Sequence, residues 1–167
     1  MARVAADNVE KIQENGELRG YFRDISCEGV DCNSVTLNFW MKNNGECGMF
    51  SAVGHKADDP DIYNIDFSGK NYFTFCHQSK YMLVLCATNT DANGLVTNVV
   101  EAAVRPGHKF NWADQIVYTN LVKQHGINEE NILNVESAGR WNPIRKCLGQ
   151  WRNKINYLED DTFHYID

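Results

Sequence analysis

From residue 18 to residue 104, segments rich in β-branched and aromatic residues alternate with clusters of Gly, Asn, Asp and Pro. That rhythm admits little but a sheet. The segments read as strands over 18–26, 34–42, 48–56, 62–67, 72–77, 81–87 and 96–104. The breaks fall at 27–33, Asn43-Asn44-Gly45, Asp58-Asp59-Pro60, Ser68-Gly69-Lys70-Asn71, Gln78-Ser79-Lys80 and Asp91-Ala92-Asn93-Gly94. Breaks this short join neighbours as hairpins, so the expected topology is an up-and-down antiparallel meander. Val35, Leu37, Phe39 and Met41 share one face, and Thr36, Asn38 and Lys42 share the other with Trp40. A sheet of about seven strands leaves two raw edges, and closing it into a barrel removes them. The expected fold is therefore all-β, a barrel.

One helix is legible. Asn111 suits its N-cap and Gly126 its C′ position. Between them, Val117 with Leu121 and Tyr118 with Val122 repeat at i, i+4 and form one apolar stripe, which places the helix on the outside of the barrel. Asn128-Glu129-Glu130-Asn131 reads as a turn and 132–135 as a short last strand. The first dozen residues show no strong strand pattern. Asp7 and Asn8 are suited to cap a single helical turn through Lys11 or Ile12, before a polar loop centred on Asn15-Gly16. Residues 140–167 carry no clean period.

Sixteen Lys and Arg stand against 22 Asp and Glu, a net charge of −6. This argues against an electrostatic nucleic-acid binder, which needs a basic face. The longest apolar stretches, such as Tyr81 to Ala87, fall far short of the ~18 residues of a membrane helix. Met1 to Glu10 contain no apolar core of a secretory signal. Six cysteines nevertheless suggest an oxidising compartment. No nucleophile motif, phosphate-cradling Gly-rich loop or glycosylation sequon is present. Cys27 and Cys32 have no second Cys or His pair at zinc-ligand spacing. No catalytic residue, metal ligand or cofactor is expected.

Several motifs in fixed order carry a family resemblance. They are the run from Ala5 to Arg19 followed by Tyr21-Phe22-Arg23, then Leu37-Asn38-Phe39, Asn43-Asn44-Gly45-Glu46-Cys47, and Ser68-Gly69-Lys70-Asn71 with Phe73. Thr88-Asn89-Thr90-Asp91 with Gly94 and the run from Gly126 to Ile132 complete them. Together, from Val4 to Val135, they resemble the odorant-binding, aphrodisin-type lipocalins. The resemblance implies an up-and-down lipocalin (calycin) β-barrel with one flanking α-helix. It also implies carriage of small hydrophobic or odorant ligands, secretion, and a loop near Ala5–Glu17 that helps gate the open end. Two departures stand out. The family's first strand with its Gly-x-Trp motif and signal peptide has no counterpart, so the first strand is expected to be missing. The slot of the family's closing cysteine holds Trp141. Residues 1–138 are thus expected to form an N-terminally truncated barrel domain and 139–167 an unrelated tail. Open strand edges make a homodimer a further expectation.

If the apolar faces point inward, they are lined by Leu18, Phe22, Val35, Leu37, Phe39, Met41, Phe50, Ala52, Ile65, Phe67, Phe73, Leu83, Leu85, Val99 and Ala103. Apolar strand faces by themselves more often fill a solid core; the resemblance implies a cavity. Asn71 is a candidate polar group to orient a ligand. Ala87 occupies a slot where relatives can carry a polar residue. Glu101 lies in phase with Val99 and Ala103. Either it faces inward, where it favours amines or hydrogen-bonding ligands, or a bulge turns it outward. Cys27 and Cys32 resemble the family's paired-cysteine loop with one extra residue between them; a disulfide and two free thiols are both open. Cys147 is a candidate partner for Cys47. Cys76 and Cys86 read as buried free thiols. Arg105 matches a residue that covers the absent tryptophan, with Trp112 as a substitute partner. Two other functions are open: a thiol enzyme of the lipocalin prostaglandin-synthase kind, which needs an inward cysteine, and a non-binding truncated isoform. Cys86 falls on the face opposite Leu83 and Leu85, which counts against the enzyme.

Overall fold

A computed structural model describes residues 2–43 and 46–135 of the chain. The expected tail and the partner suggested for Cys47, Cys147, lie outside the described residues, as does Asn44-Gly45. The strands are β1 (Arg3–Ala6), β2 (Tyr21–Glu28), β3 (Ser34–Asn43), β4 (Glu46–Lys56), β5 (Tyr63–Asp66), β6 (Lys70–Gln78), β7 (Met82–Thr90), β8 (Val96–Val104) and β9 (Ile132–Asn134). The helix α1 spans Trp112–Gln124. Among the described residues, nine strands form one antiparallel sheet in the order β2-β3-β4-β5-β6-β7-β8-β1-β9. From β2 to β8, neighbours in sequence are neighbours in space, as hairpin breaks require.

The N-terminus is not strandless, as had been expected. Arg3–Ala6 pairs with β8 on one side and β9 on the other. Its four residues are too few and too small to show a period. Its conformation is set by ladder partners about a hundred residues away. The gap that a missing first strand implies is still present in part. Among the described residues β2 pairs only with β3, and β9 only with β1, so the curled sheet has no ladder between β2 and β9. Residues 18–20 leave the strand expected there. Leu18 N–H donates to Lys11 O at 2.9 Å and Arg19 N–H to Gly16 O at 3.1 Å, which folds them into the preceding loop.

The alternation sorts the side chains into three apolar clusters. One, inside the curl, includes Leu37, Phe39, Ile65, Phe73 and Leu85. The second lies on the outer face, where Met82, Val84, Cys86, Val100 and Ala102 pack against Tyr118 and Val122 of α1. Asn111 caps that helix as expected. Its side chain accepts from Ala113 and Asp114 N–H, and the Asp114 carboxylate accepts from Asn111 N–H. Tyr118 O–H donates to Val100 O at 2.9 Å, fixing α1 on β8. The third cluster joins Tyr21 of β2 and Trp40 of β3 to Val4 and Ala6 of β1, Val99 of β8, and Ile12 and Val135. Trp40 is only 8% exposed, although its neighbours on that face are polar.

Cys27 and Cys32 are disulfide-bonded. So are Cys76 and Cys86, contrary to the expectation of free thiols. On a regular ladder these two would be diagonal neighbours, whose Cα atoms lie ~7–8 Å apart. The register of β6 against β7 shifts between Phe75 and His77, at Cys76. The Cα atoms come to 5.8 Å, within disulfide range. Cys47 is disulfide-bonded as well. The cation–π contact near β1 is made by Arg3 over Phe110, at 4.3 Å, rather than by Arg105 over Trp112, which is exposed.

Candidate functional site

The inner face of the sheet surrounds a cavity of about 100 Å³. One water needs about 10–15 Å³ by this measure, so the space suits a small organic molecule. Phe22 enters from β2; Leu37, Phe39 and Met41 from β3; Ala52 from β4; Ile65 from β5, with Phe67 just beyond it. Asn71 and Phe73 of β6, Leu85 and Ala87 of β7, and Val99 and Glu101 of β8 complete the wall. Glu17, Leu18 and Gly20 from the loop before β2 cover it. The aromatic rings brace one another: Phe67 meets Phe39 edge-on at 4.9 Å, and Phe22 meets Phe39 at 6.3 Å.

Four residues expected in the lining stand outside it. Val35 and Leu83 are buried in the inner cluster and Ala103 is likewise buried. They lie toward the end of the sheet that carries the 29–33 and 79–81 connections. There Tyr63, Phe73 and Phe75 pack ring on ring, and Tyr63 O–H donates to Cys32 O at 2.9 Å. This end is solid core. Phe50 has the right phase but is 38% exposed; it stands behind the lining rings, stacked on Phe39 and edge-on to Phe67.

Asn71 lines the cavity with its polar atoms already engaged. Its amide donates to Phe67 O at 2.7 Å and Ile65 O at 3.2 Å, and its oxygen accepts from Asn89 Nδ2 at 2.9 Å. The side chain holds the turn between β5 and β6. Glu101 faces inward. The β7–β8 ladder runs without a bulge, setting Glu101 opposite Leu85, and β1 sets it opposite Val4. Its carboxyl forms no hydrogen bond or ion pair with the described residues. Burial pushes its pKa up to about 8.

The residues that sequence reading missed, Glu17 and Gly20, belong to the covering loop. The loop begins at Asp7, whose carboxylate accepts from Asn98 N–H and Asn98 Nδ2, both at 3.0 Å. It then makes one 3₁₀ turn over Val9–Ile12, close to the single turn expected. Lys11 pairs with Asp91 in the β7–β8 connection at 2.8 Å and also with Glu17. A Cβ on Gly16 would lie 2.4 Å from Lys11 O, so only glycine permits this fold-back. At Gly20 a Cβ would press on the Phe39 ring at 3.3 Å. The approach at Gly20 is tertiary and leaves no local pattern beyond a glycine beside an aromatic strand, whereas Gly16 falls in the Asn15-Gly16 loop expected from the sequence.

Cys86 lies on the outer face and is disulfide-bonded, which deprives a thiol-enzyme reading of its nucleophile in this state. Its ligand atom, with those of Cys76 and His125, lies in a group within 4.8 Å. Both sulfurs are spent on each other, so the group offers no thiolates to a metal. No described helix is long and apolar enough to cross a membrane.

The sequence pattern of the Lipocalin / cytosolic fatty-acid binding protein family matches residues 1–139. The chain is 36% identical over 130 residues to lipocalin Cav p 2.0101 of Cavia porcellus, covering 77% of this chain and 75% of that protein. Among solved structures, aphrodisin, a sex pheromone from female hamster, superposes with a TM-score of 0.77 at 27% identity, covering 83% of this chain and 92% of the other. Bovine odorant-binding protein in complex with undecanal superposes with a TM-score of 0.58 at 28% identity, covering 80% and 86%.

Proposed function

The chain belongs to the lipocalin / cytosolic fatty-acid binding protein family, and from that footing we propose that it reversibly carries small hydrophobic molecules of the odorant or pheromone type in its inner cavity. The observation that carries this reading is the cavity itself, an apolar space of about 100 Å³ under a loop tied down at Asp7 and Lys11. Burying a small ligand at ~25 cal/mol per Å² of apolar surface supplies micromolar affinity without any covalent step. The similarity to a protein solved with undecanal supports the same ligand size and polarity. We place the protein outside the cell: the Cys27–Cys32 and Cys76–Cys86 disulfides persist in oxidising surroundings.

Fluorescence titration with 1-aminoanthracene tests the proposal. Saturable micromolar binding is expected. Ala87→Trp, which plants an indole in the cavity, is expected to weaken it at least about tenfold while the circular dichroism stays that of a folded sheet. A folded sample with no saturable binding overturns the reading.

A further inference from the structure

On the outer face of the sheet, three metal-ligating side chains converge. Cys76 of β6 and Cys86 of β7 meet His125 at the end of α1, and their ligand atoms all lie within 4.8 Å of one another. The register shift between Phe75 and His77 brings Cys76 beside Cys86, and paired residues hold the β6–β7 ladder on both sides of it. His125 is fixed independently. Its N–H donates to Leu121 O at 3.1 Å. Gly126, at φ 71°, then turns the chain out of the helix, and Ile127 N–H returns to Val122 O at 3.1 Å. Val122 and Ile127 are buried in the cluster that contains Cys86. Tyr118 O–H, donated to Val100 O, pins the middle of the helix to β8. None of these ties passes through a sulfur, so they hold the three ligand atoms together when the disulfide opens.

We propose that Cys76, Cys86 and His125 form a redox-gated zinc site, closed as a disulfide in oxidising surroundings and opened by a dithiol reductant. Cys76 is half-buried and Cys86 fully buried, so the reductant's thiolate attacks the Cys76 sulfur. The S–S bond breaks, and Cys86 leaves as a thiolate and takes up a proton. The reductant's second thiolate then displaces Cys76 from the mixed disulfide. The reductant departs as its own disulfide, having given two electrons to the pair. Zn²⁺ binds both sulfurs as thiolates, and the two protons of the dithiol pass to solvent. Two thiolates and an imidazole select a thiophilic ion over magnesium or calcium, which take oxygen ligands. Around tetrahedral zinc, sulfurs at about 2.3 Å from the metal lie about 3.8 Å from each other. Ligand atoms already within 4.8 Å reach that spacing by side-chain rotation. Water fills the fourth position. The site is separate from ligand carriage, because the cavity is lined by the opposite face of the same strands.

The test uses Co²⁺ as the probe and Zn²⁺ as its competitor. The full chain is reduced with dithiothreitol, freed of it by gel filtration under argon, and titrated at neutral pH beside the oxidised chain. The reduced chain is expected to keep the circular dichroism of a folded sheet and to bind a single Co²⁺. That binding shows as sulfur-to-cobalt charge-transfer absorption, which Zn²⁺ abolishes. The oxidised chain is expected to show none. Cys86→Ser is expected to lose the charge-transfer band, and Cys27→Ser, which alters the other short disulfide, to retain it. His125→Ala keeps both sulfurs and is expected to weaken Zn²⁺ binding at least about tenfold. Equal Zn²⁺ affinity in the wild type and His125→Ala overturns the proposal, and so does a band that survives Cys86→Ser. A reduced chain that binds no Co²⁺, or that has lost its sheet signal, overturns it as well. If Cys86→Ser does not fold, the His125→Ala comparison decides alone.

Discussion

In the unfolded chain the carboxyl of Glu101 titrates near its ordinary value of 4.5; in the fold, burial pushes it up to about 8. Between those values the folded state holds a proton that the unfolded state has released, so stability falls as pH rises. Below the lower value both states are protonated and above the upper one both are ionised, so the dependence is confined to that window. The melting temperature is therefore expected to decline from about pH 5 to about pH 8, and Glu101→Gln to flatten the profile; calorimetric scans across pH measure both. An identical slope in the variant would assign the dependence to other groups. The period-2 pattern placed Glu101 in phase with Val99 and Ala103, but phase alone does not reveal a bulge. The unbroken β7–β8 register does. Asn71 shows the converse limit. Its inward position was legible, whereas its engagement with Phe67 O and Asn89 depends on a turn whose shape the sequence does not spell out.

At the scale of elements, the loop before β2 covers the cavity. It is anchored by Asp7 on β8 and by Lys11, which reaches Asp91 and Glu17. The hydrogen bond to Asp91 raises the pKa of Lys11 and lowers that of Asp91, so both stay charged across the neutral range. Lys11→Met keeps the aliphatic stem and removes the tie. We expect it to speed release of 1-aminoanthracene roughly two- to fivefold with little change in the far-ultraviolet spectrum, as stopped-flow displacement would show. An unchanged release rate would mean that the loop does not limit exit. The gating loop itself was expected from family resemblance. The tie to Asp91 spans eighty residues and is visible only once β7 and β8 bring their connection over the loop.

For the whole molecule, the governing relation is linkage between ligand and fold. The cavity exists only when β2 through β8 are assembled, so a ligand bound there favours the folded state. 1-Aminoanthracene at about 100 times its Kd is expected to add about 2.7 kcal/mol to the unfolding free energy, read as a rise in urea midpoint. No rise would place the probe outside the folded cavity. The order of strands from β2 to β8, the alternation of their faces and the capped helix were set by local sequence. Hairpin breaks, period-2 alternation and a capping residue act over a few bonds. Tertiary structure decided the rest. It made a strand of Arg3–Ala6 by pairing it with β8 and β9. It drew Cys76 to Cys86 through a register shift. It also divided one continuous apolar face into solid core at Val35 and Leu83 and open space at Leu37, Phe39 and Leu85. Val35 and Leu37 obey the same alternation. Whether the space before each is filled depends on how closely strands distant in sequence approach, and no local pattern encodes that distance.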